Sequence, residues 1–156
     1  MTNNEIMISV RYALHLKNAE VVSMIKSVGV QTKIYDVVNL LKNEDDEGFV
    51  VCQPEMLHAF LDGLILKRRG PSDAPAKKFS TAIINNNIVL RKLRIAFELK
   101  DTDILSILKS VGFTISKGEL GALFRNRNHK NYIKCGDQIV RYFLKGLALK
   151  YRPNIG

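Results

Sequence analysis

Shifted by 83 positions, this chain lies over itself. Residues 3–70 align with residues 86–153 without a gap, and 21 of those 68 pairs are identical. Asn3-Asn4 falls on Asn86-Asn87, Ser27-Val28-Gly29 on Ser110-Val111-Gly112, and Phe60-Leu61-Asp62-Gly63-Leu64 on Phe143-Leu144-Lys145-Gly146-Leu147. A gapless match of this length is a tandem duplication, so the chain folds as two copies of one unit. Residues 3–70 form the first repeat, 71–85 a linker and 86–153 the second repeat. Each copy is near the lower limit for a core that stands alone, so the two are expected to pack into one globule with an approximate internal twofold.

Each copy reads as four helices. In the second, Asn86 or Asn87 can cap a helix whose apolar face is Val89, Leu93, Ala96 and Phe97. Asp101 suits the cap of a helix carrying Ile104, Leu105, Ile107 and Leu108, ended by Gly112. Ser116 and Glu119 have capping-box spacing and open a third helix through Leu120, Leu123 and Phe124. After a polar loop, 126–136, a last helix runs from about Asp137 to Tyr151. The first copy gives the same outline at about 4–16, 18–28, 33–43 and 54–68, with Pro54 in the first turn of the last helix. Sustained strand-like alternation is rare, and the fold class is all-α. Pro71, Ser72, Asp73 and Pro75 break structure in the linker, while Phe79, Ile83 and Ile84 suggest that its second half packs on the body. Gly63 and Gly146 each cost a helix interior roughly 1 kcal/mol relative to Ala. Their presence in both copies implies that another helix passes close there.

Charge separates the copies. Of the formal net charge of +9, residues 3–70 contribute −1, from 8 Lys/Arg against 9 Asp/Glu. Residues 86–153 contribute +9, from 14 against 5, and the linker adds +1. The whole basic excess therefore sits in the second copy, either as a solvated basic face on a packed bundle or as a surface for a polyanionic partner. The loop Asn43-Glu44-Asp45-Asp46-Glu47-Gly48 is acidic, and its counterpart Asn126-Arg127-Asn128-His129-Lys130-Asn131 is basic. The acidic run lacks the alternating ligands and distal Glu of a calcium loop and reads as a solvated loop. The two loops can attract each other within or between molecules, or the basic one can face an external anion.

Chemistry-bearing constellations are sparse. His15, His58 and His129 fit no metal motif, and with two distant cysteines no metal or cofactor is expected. Cys52 and Cys135 share one repeat position and read as small buried residues. No phosphate-binding glycine loop or nucleophile elbow occurs, and Ser106 and Ser116 have no His nearby in sequence. The second and third helices of each copy resemble a helix-turn-helix. In the second copy that motif would offer Lys117 and Arg125, followed by Arg127, Lys130 and Lys134, with Arg91 and Lys92 on the first helix for phosphates. The turn after Gly112 is long for this motif, Leu108 and Ile25 occupy a crossing that usually takes a small residue, and Gly118 and Gly121 weaken the would-be recognition helix. Among identical polar pairs, Arg94 can hold Glu98 one turn on, but Arg11 has His15 there. Arg11 and Arg94 can instead bond carbonyls at the repeat interface. Lys67 and Lys150 suit helix C-termini.

The doubled pattern resembles the YehS-like family of small bacterial proteins. The resemblance rests on Asn85-Asn86-Asn87-Ile88-Val89-Leu90-Arg91-Lys92-Leu93-Arg94-Ile95-Ala96-Phe97, His129-Lys130-Asn131-Tyr132, Cys135-Gly136-Asp137-Gln138 and Arg141-Tyr142-Phe143-Leu144-Lys145-Gly146-Leu147. The first copy joins through Glu44-Asp45-Asp46-Glu47-Gly48-Phe49 and Phe60-Leu61-Asp62-Gly63-Leu64. It implies a bacterial cytoplasmic protein made of two copies of a domain of unknown function, and it supplies no activity or site residue. No stretch is long and apolar enough to span a membrane, and Met1-Thr2-Asn3-Asn4-Glu5 lacks the features of a signal peptide, so a cytoplasmic protein is expected. The leading expectation is a non-catalytic DNA- or RNA-binding protein acting through Arg91, Lys92, Lys117, Arg125, Arg127, Lys130 and Lys134. The alternative is an adaptor or self-associating protein using Glu44, Asp45, Asp46 and Glu47. An enzyme with a site at the repeat interface is the third reading.

Overall fold

In the computed structural model, residues 1–71 and 83–152 are described. They form eight helices and, among the described residues, no strand. The first repeat supplies α1 (Asn3–Leu14), α2 (Asn18–Ser27), α3 (Ile34–Leu40) and α4 (Pro54–Arg69). The second supplies α5 (Asn86–Phe97), α6 (Asp101–Ser110), α7 (Lys117–Leu123) and α8 (Asp137–Tyr151). The third helices are shorter than their apolar runs suggest, ending before Leu41 and Phe124.

Local chemistry sets the ends. The Thr2 hydroxyl accepts from the Glu5 amide at 3.1 Å and opens α1. Asn85, rather than Asn86 or Asn87, caps α5 by accepting from Ile88 N–H at 2.9 Å. Lys100, rather than Asp101, is the N-cap of α6, and the Asp103 carboxylate three residues on accepts the Lys100 N–H at 2.8 Å. The equivalent Lys17 N–H reaches Glu20 at 3.1 Å. That bond, with help from Lys67, holds the Glu20 carboxyl below its ordinary range. Ser116 and Glu119 form both halves of the expected capping box.

Within each repeat the second helix crosses the last one. The crossing is at glycine in both copies. A Cβ on Gly63 would lie 2.2 Å from the Met24 carbonyl oxygen, and one on Gly146 would lie 2.6 Å from that of Ile107. Met24 and Ile107 are themselves equivalent positions. The expected close helix is therefore α2 in one copy and α6 in the other.

Between repeats the packing is reciprocal. Helix α1 lies chiefly against α8, and α5 against α4, so each copy lends its first helix to the other's last. One continuous core results, with Phe60 and Phe143 fully buried at matched positions. Arginines close the seam. Arg69 Nη1 donates to Ile95 O at 3.1 Å and Arg68 Nε to Ala96 O at 3.1 Å, at the C-terminal end of α5. Arg152, the counterpart of Arg69, donates to Tyr12 O at the end of α1 and stacks 3.9 Å over the Tyr12 ring. Cations suit these carbonyl-rich ends. Arg11 and Arg94 do not take that role. Arg94 pairs with Asp101 at 2.8 Å instead of Glu98, and Glu98 pairs with Arg69 at 3.2 Å. In the first copy Asn18 stands at the repeat position of Asp101, and the buried Nε of Arg11 has no hydrogen-bond partner.

In the linker, Ile84 packs against the core and Ile83 is exposed. Phe79 lies outside the described residues.

Candidate functional site

A buried asparagine organises the basic loop. Asn87, in the first turn of α5, donates through Nδ2 to Leu123 O at 3.0 Å and Ile133 O at 2.9 Å. Its Oδ1 accepts the Cys135 N–H at 2.8 Å. One side chain thus ties the end of α7 and the returning segment before α8 to the start of α5. Asn86 adds bonds from Nδ2 to Cys135 O at 3.1 Å and to Asp137 Oδ1 at 2.8 Å. Two turns shape the segment between: His129 N–H donates to Asn126 O at 2.8 Å, and Tyr132 N–H to His129 O at 3.0 Å.

The first turns of α5 and this loop then enclose an open cleft of about 540 Å³. Among the described residues its walls carry four cations, Arg91, Arg125, Arg127 and Lys134, and no carboxylate. Asn85, Asn87 and Asn126 add amide groups, and Ile83, Ile88 and Tyr132 add apolar surface. All four cations are exposed, and among the described residues none of them makes an ion pair. Arg91 is steadied by a bond from Nη2 to Phe124 O at 3.2 Å. The positive end of the α5 dipole adds to the same potential.

The structure therefore gathers four of the seven cations singled out in the sequence. Lys130 is exposed on the same loop but is not part of the cleft wall, and Lys117 is exposed at the start of α7, also outside it. Lys92 faces the other repeat. Its Nζ is 2.6 Å from Asp62 Oδ1 and 3.0 Å from His58 Nδ1, with the side chain only 18% exposed. An α5 side chain one position from Arg91 points about 100° away around the helix, which is why neighbours in sequence serve different surfaces. Tyr132 and Asn85 were missed in the sequence reading. The legible signal for Tyr132 was the aromatic pair Phe49/Tyr132 at one repeat position.

The model of a family described as "Protein of unknown function (DUF1456)" matches residues 3–70 and again residues 86–153. The chain belongs to this family. It is also similar over its full length to the Escherichia coli (strain K12) "Uncharacterized protein YehS", with 43% identity over 156 residues and complete coverage of both chains. No solved structure matches it.

For this DUF1456 chain the remaining candidate chemistry is structural. Cys52 and Cys135 are buried, unpaired thiols, pushed up to about 12 and about 11 by burial, with Glu55 and Asp137 adding repulsion. His15 ends α1 in the left-handed conformation, and His129 Nδ1 accepts the Asn131 N–H at 3.0 Å. Among the described residues no three His, Cys, Asp or Glu side chains converge, and no helix is long and apolar enough to cross a membrane. Six residues separate α6 from the seven-residue α7, against the three- or four-residue turn of a compact helix-turn-helix.

Proposed function

We propose that the protein binds nucleic acid, without catalysis, through the cleft between α5 and the basic loop. The observation that carries this reading is the convergence of Arg91, Arg125, Arg127 and Lys134 on one concavity with no carboxylate among the described residues of its wall. Four unpaired cations around one space repel one another, and a polyanion relieves that repulsion while releasing its own counterions. Lys92 is removed from the expected contact set because it is engaged with Asp62 across the repeat seam.

The test is a fluorescence-anisotropy titration of the purified, nucleic-acid-stripped protein with labelled oligonucleotides at several salt concentrations. Four neutralised phosphates predict a slope of log K against log salt of roughly −3. Arg125→Glu with Arg127→Glu flattens that slope and abolishes binding at moderate salt. Absence of binding at low salt overturns the reading.

A second reading is favoured by one observation, the exposed acidic loop Glu44–Glu47 set against an exposed basic loop of the same repeat position. These surfaces are complementary between copies of the chain and support head-to-tail self-association. That reading requires a mass that rises with protein concentration and returns to the monomer when Glu44, Asp45 and Glu47 are neutralised.

A further inference from the structure

The shape of the cleft says which nucleic acid suits it. We infer that it takes a single-stranded segment, with one unpaired base laid against the Tyr132 ring and the flanking phosphates held by Arg91, Arg125, Arg127 and Lys134. The inference rests on the nucleic-acid reading above and deepens it.

Three observations carry it. First, the cations surround a recess instead of lying along a ridge. An open recess of about 540 Å³ is on the scale of a single nucleotide, and an unstacked base can enter it, whereas bases within a duplex stay stacked and paired. Second, the helix that a helix-turn-helix would place in a groove is short. Helix α7 has seven residues, about 10 Å of length, and its N-terminus is closed by the Ser116–Glu119 capping box. Its one cation, Lys117, lies outside the cleft. Third, the wall that carries the arginines also carries a half-buried aromatic ring, Tyr132, fixed by the turn from His129 and next to Ile133, whose carbonyl Asn87 holds. Cationic walls around an aromatic platform are the arrangement by which proteins hold unstacked bases, since every base has a π-face and every linkage a phosphate.

The first repeat provides an internal contrast. The counterpart of Tyr132 is Phe49, still aromatic, but Arg91, Arg127 and Lys134 become Ile8, Glu44 and Val51. Only the Arg125 position keeps a cation, Lys42, and its Nζ is bonded to Glu47 O at 2.7 Å beside the acidic run. The aromatic is present there with one cation of the four, so one site per chain is expected.

The experiment titrates the full-length protein with one labelled 12-mer in single-stranded form, as a duplex, and as a strand of equal length with abasic residues throughout. The expected order is single strand first, with the abasic strand about tenfold weaker. Tyr132→Leu, which keeps an apolar side chain, lowers single-strand affinity about tenfold and leaves the salt slope unchanged, while Tyr132→Phe binds like the parent. Circular dichroism establishes that each variant is folded, and the abasic comparison needs no variant at all. Quenching of tyrosine fluorescence on binding, lost in Tyr132→Phe, is the second readout, made clean by the absence of tryptophan. Equal or tighter binding of the duplex overturns this inference and leaves the nucleic-acid reading standing. Equal affinity for the abasic strand overturns the base seat. Binding of none of the three overturns both.

Discussion

The loop that follows α3 and the loop that follows α7 are the same piece of backbone with opposite surfaces. Asn4 donates to Leu40 O at 3.0 Å and Val50 O at 2.8 Å and accepts from Cys52 N–H at 2.8 Å. Asn87 makes the equivalent three bonds at 3.0, 2.9 and 2.8 Å. The turns also coincide: Asp46 N–H to Asn43 O and Phe49 N–H to Asp46 O match the two turns of the basic loop. Between these fixed points one copy displays Glu44, Asp45, Asp46 and Glu47, and the other displays Arg127, Asn128, His129 and Lys130. Positions that satisfy buried backbone groups stayed fixed, because an orphaned buried donor or acceptor costs more than most surface changes. Positions in water were free to change sign, and the loop of the second copy is basic where that of the first is acidic.

That comparison can be broken most severely at the asparagines. Asn4→Ala and Asn87→Ala each orphan two carbonyls and one N–H, and each is expected to destabilise by about 3 kcal/mol or more. Equal losses in the two single variants, read by urea denaturation, support the equivalence of the loops. A large loss in one copy only breaks it. Next come the helix crossings. Gly63→Ala drives a Cβ into the Met24 carbonyl and is expected to cost about 2–3 kcal/mol. Gly146→Ala is expected to cost a similar amount or slightly less, since its Cβ meets the Ile107 carbonyl oxygen at 2.6 Å as well as the Ile107 Cγ2. A third comparison transplants charge. Glu44→Arg, Asp45→Asn and Glu47→Lys copy the basic loop onto the first repeat while keeping Asp46, whose carboxylate accepts the Asn43 N–H at 3.0 Å. Stability should stay within about 0.5 kcal/mol. Polyanion affinity should rise, with a salt slope steeper by roughly 1.

The smallest effect at neutral pH concerns the thiols. Burial raises both above the ordinary value of 9.0, to about 12 for Cys52 and about 11 for Cys135. The fold therefore favours the neutral form. Its contribution is full below pH 9 and is lost as pH rises toward 11 and 12, by linkage. Denaturation midpoints should fall over that window, and Cys52→Ala should flatten the fall. At pH 8 a disulfide-exchange reagent should titrate both thiols in denaturant and neither in the native protein. Rapid native labelling of Cys52 would contradict its burial.

Much of the architecture was legible because it follows from local rules. The repeat offset placed the helices in register, the Ser116–Glu119 spacing specified a capping box that formed, and paired glycines announced the α2–α4 and α6–α8 crossings. Caps were read one or two residues late at α5 and α6. Asn86 and Asn87 are good caps by type, but their amides are consumed by Cys135, Leu123 and Ile133, contacts 36 to 49 residues away that no local pattern records. The arginines at the seam were misassigned for a related reason. Arg11 and Arg94 stood out as an identical pair, yet the carbonyls they were given go to Arg69 and Arg152, which reach them from the other repeat.

By itself the sequence determined the duplication, the all-helical class, the helix count per copy and the segregation of charge. These are set by spacing along one chain, where i, i+3 and i+4 neighbours and the 83-residue offset carry the information. Only the tertiary structure decided that each first helix packs on the other repeat's last helix, and that Arg91 faces a cleft while Lys92 beside it is tied to Asp62. Which cations share a space depends on long-range packing and on the direction each side chain leaves its helix, and adjacent residues on a helix leave it in different directions.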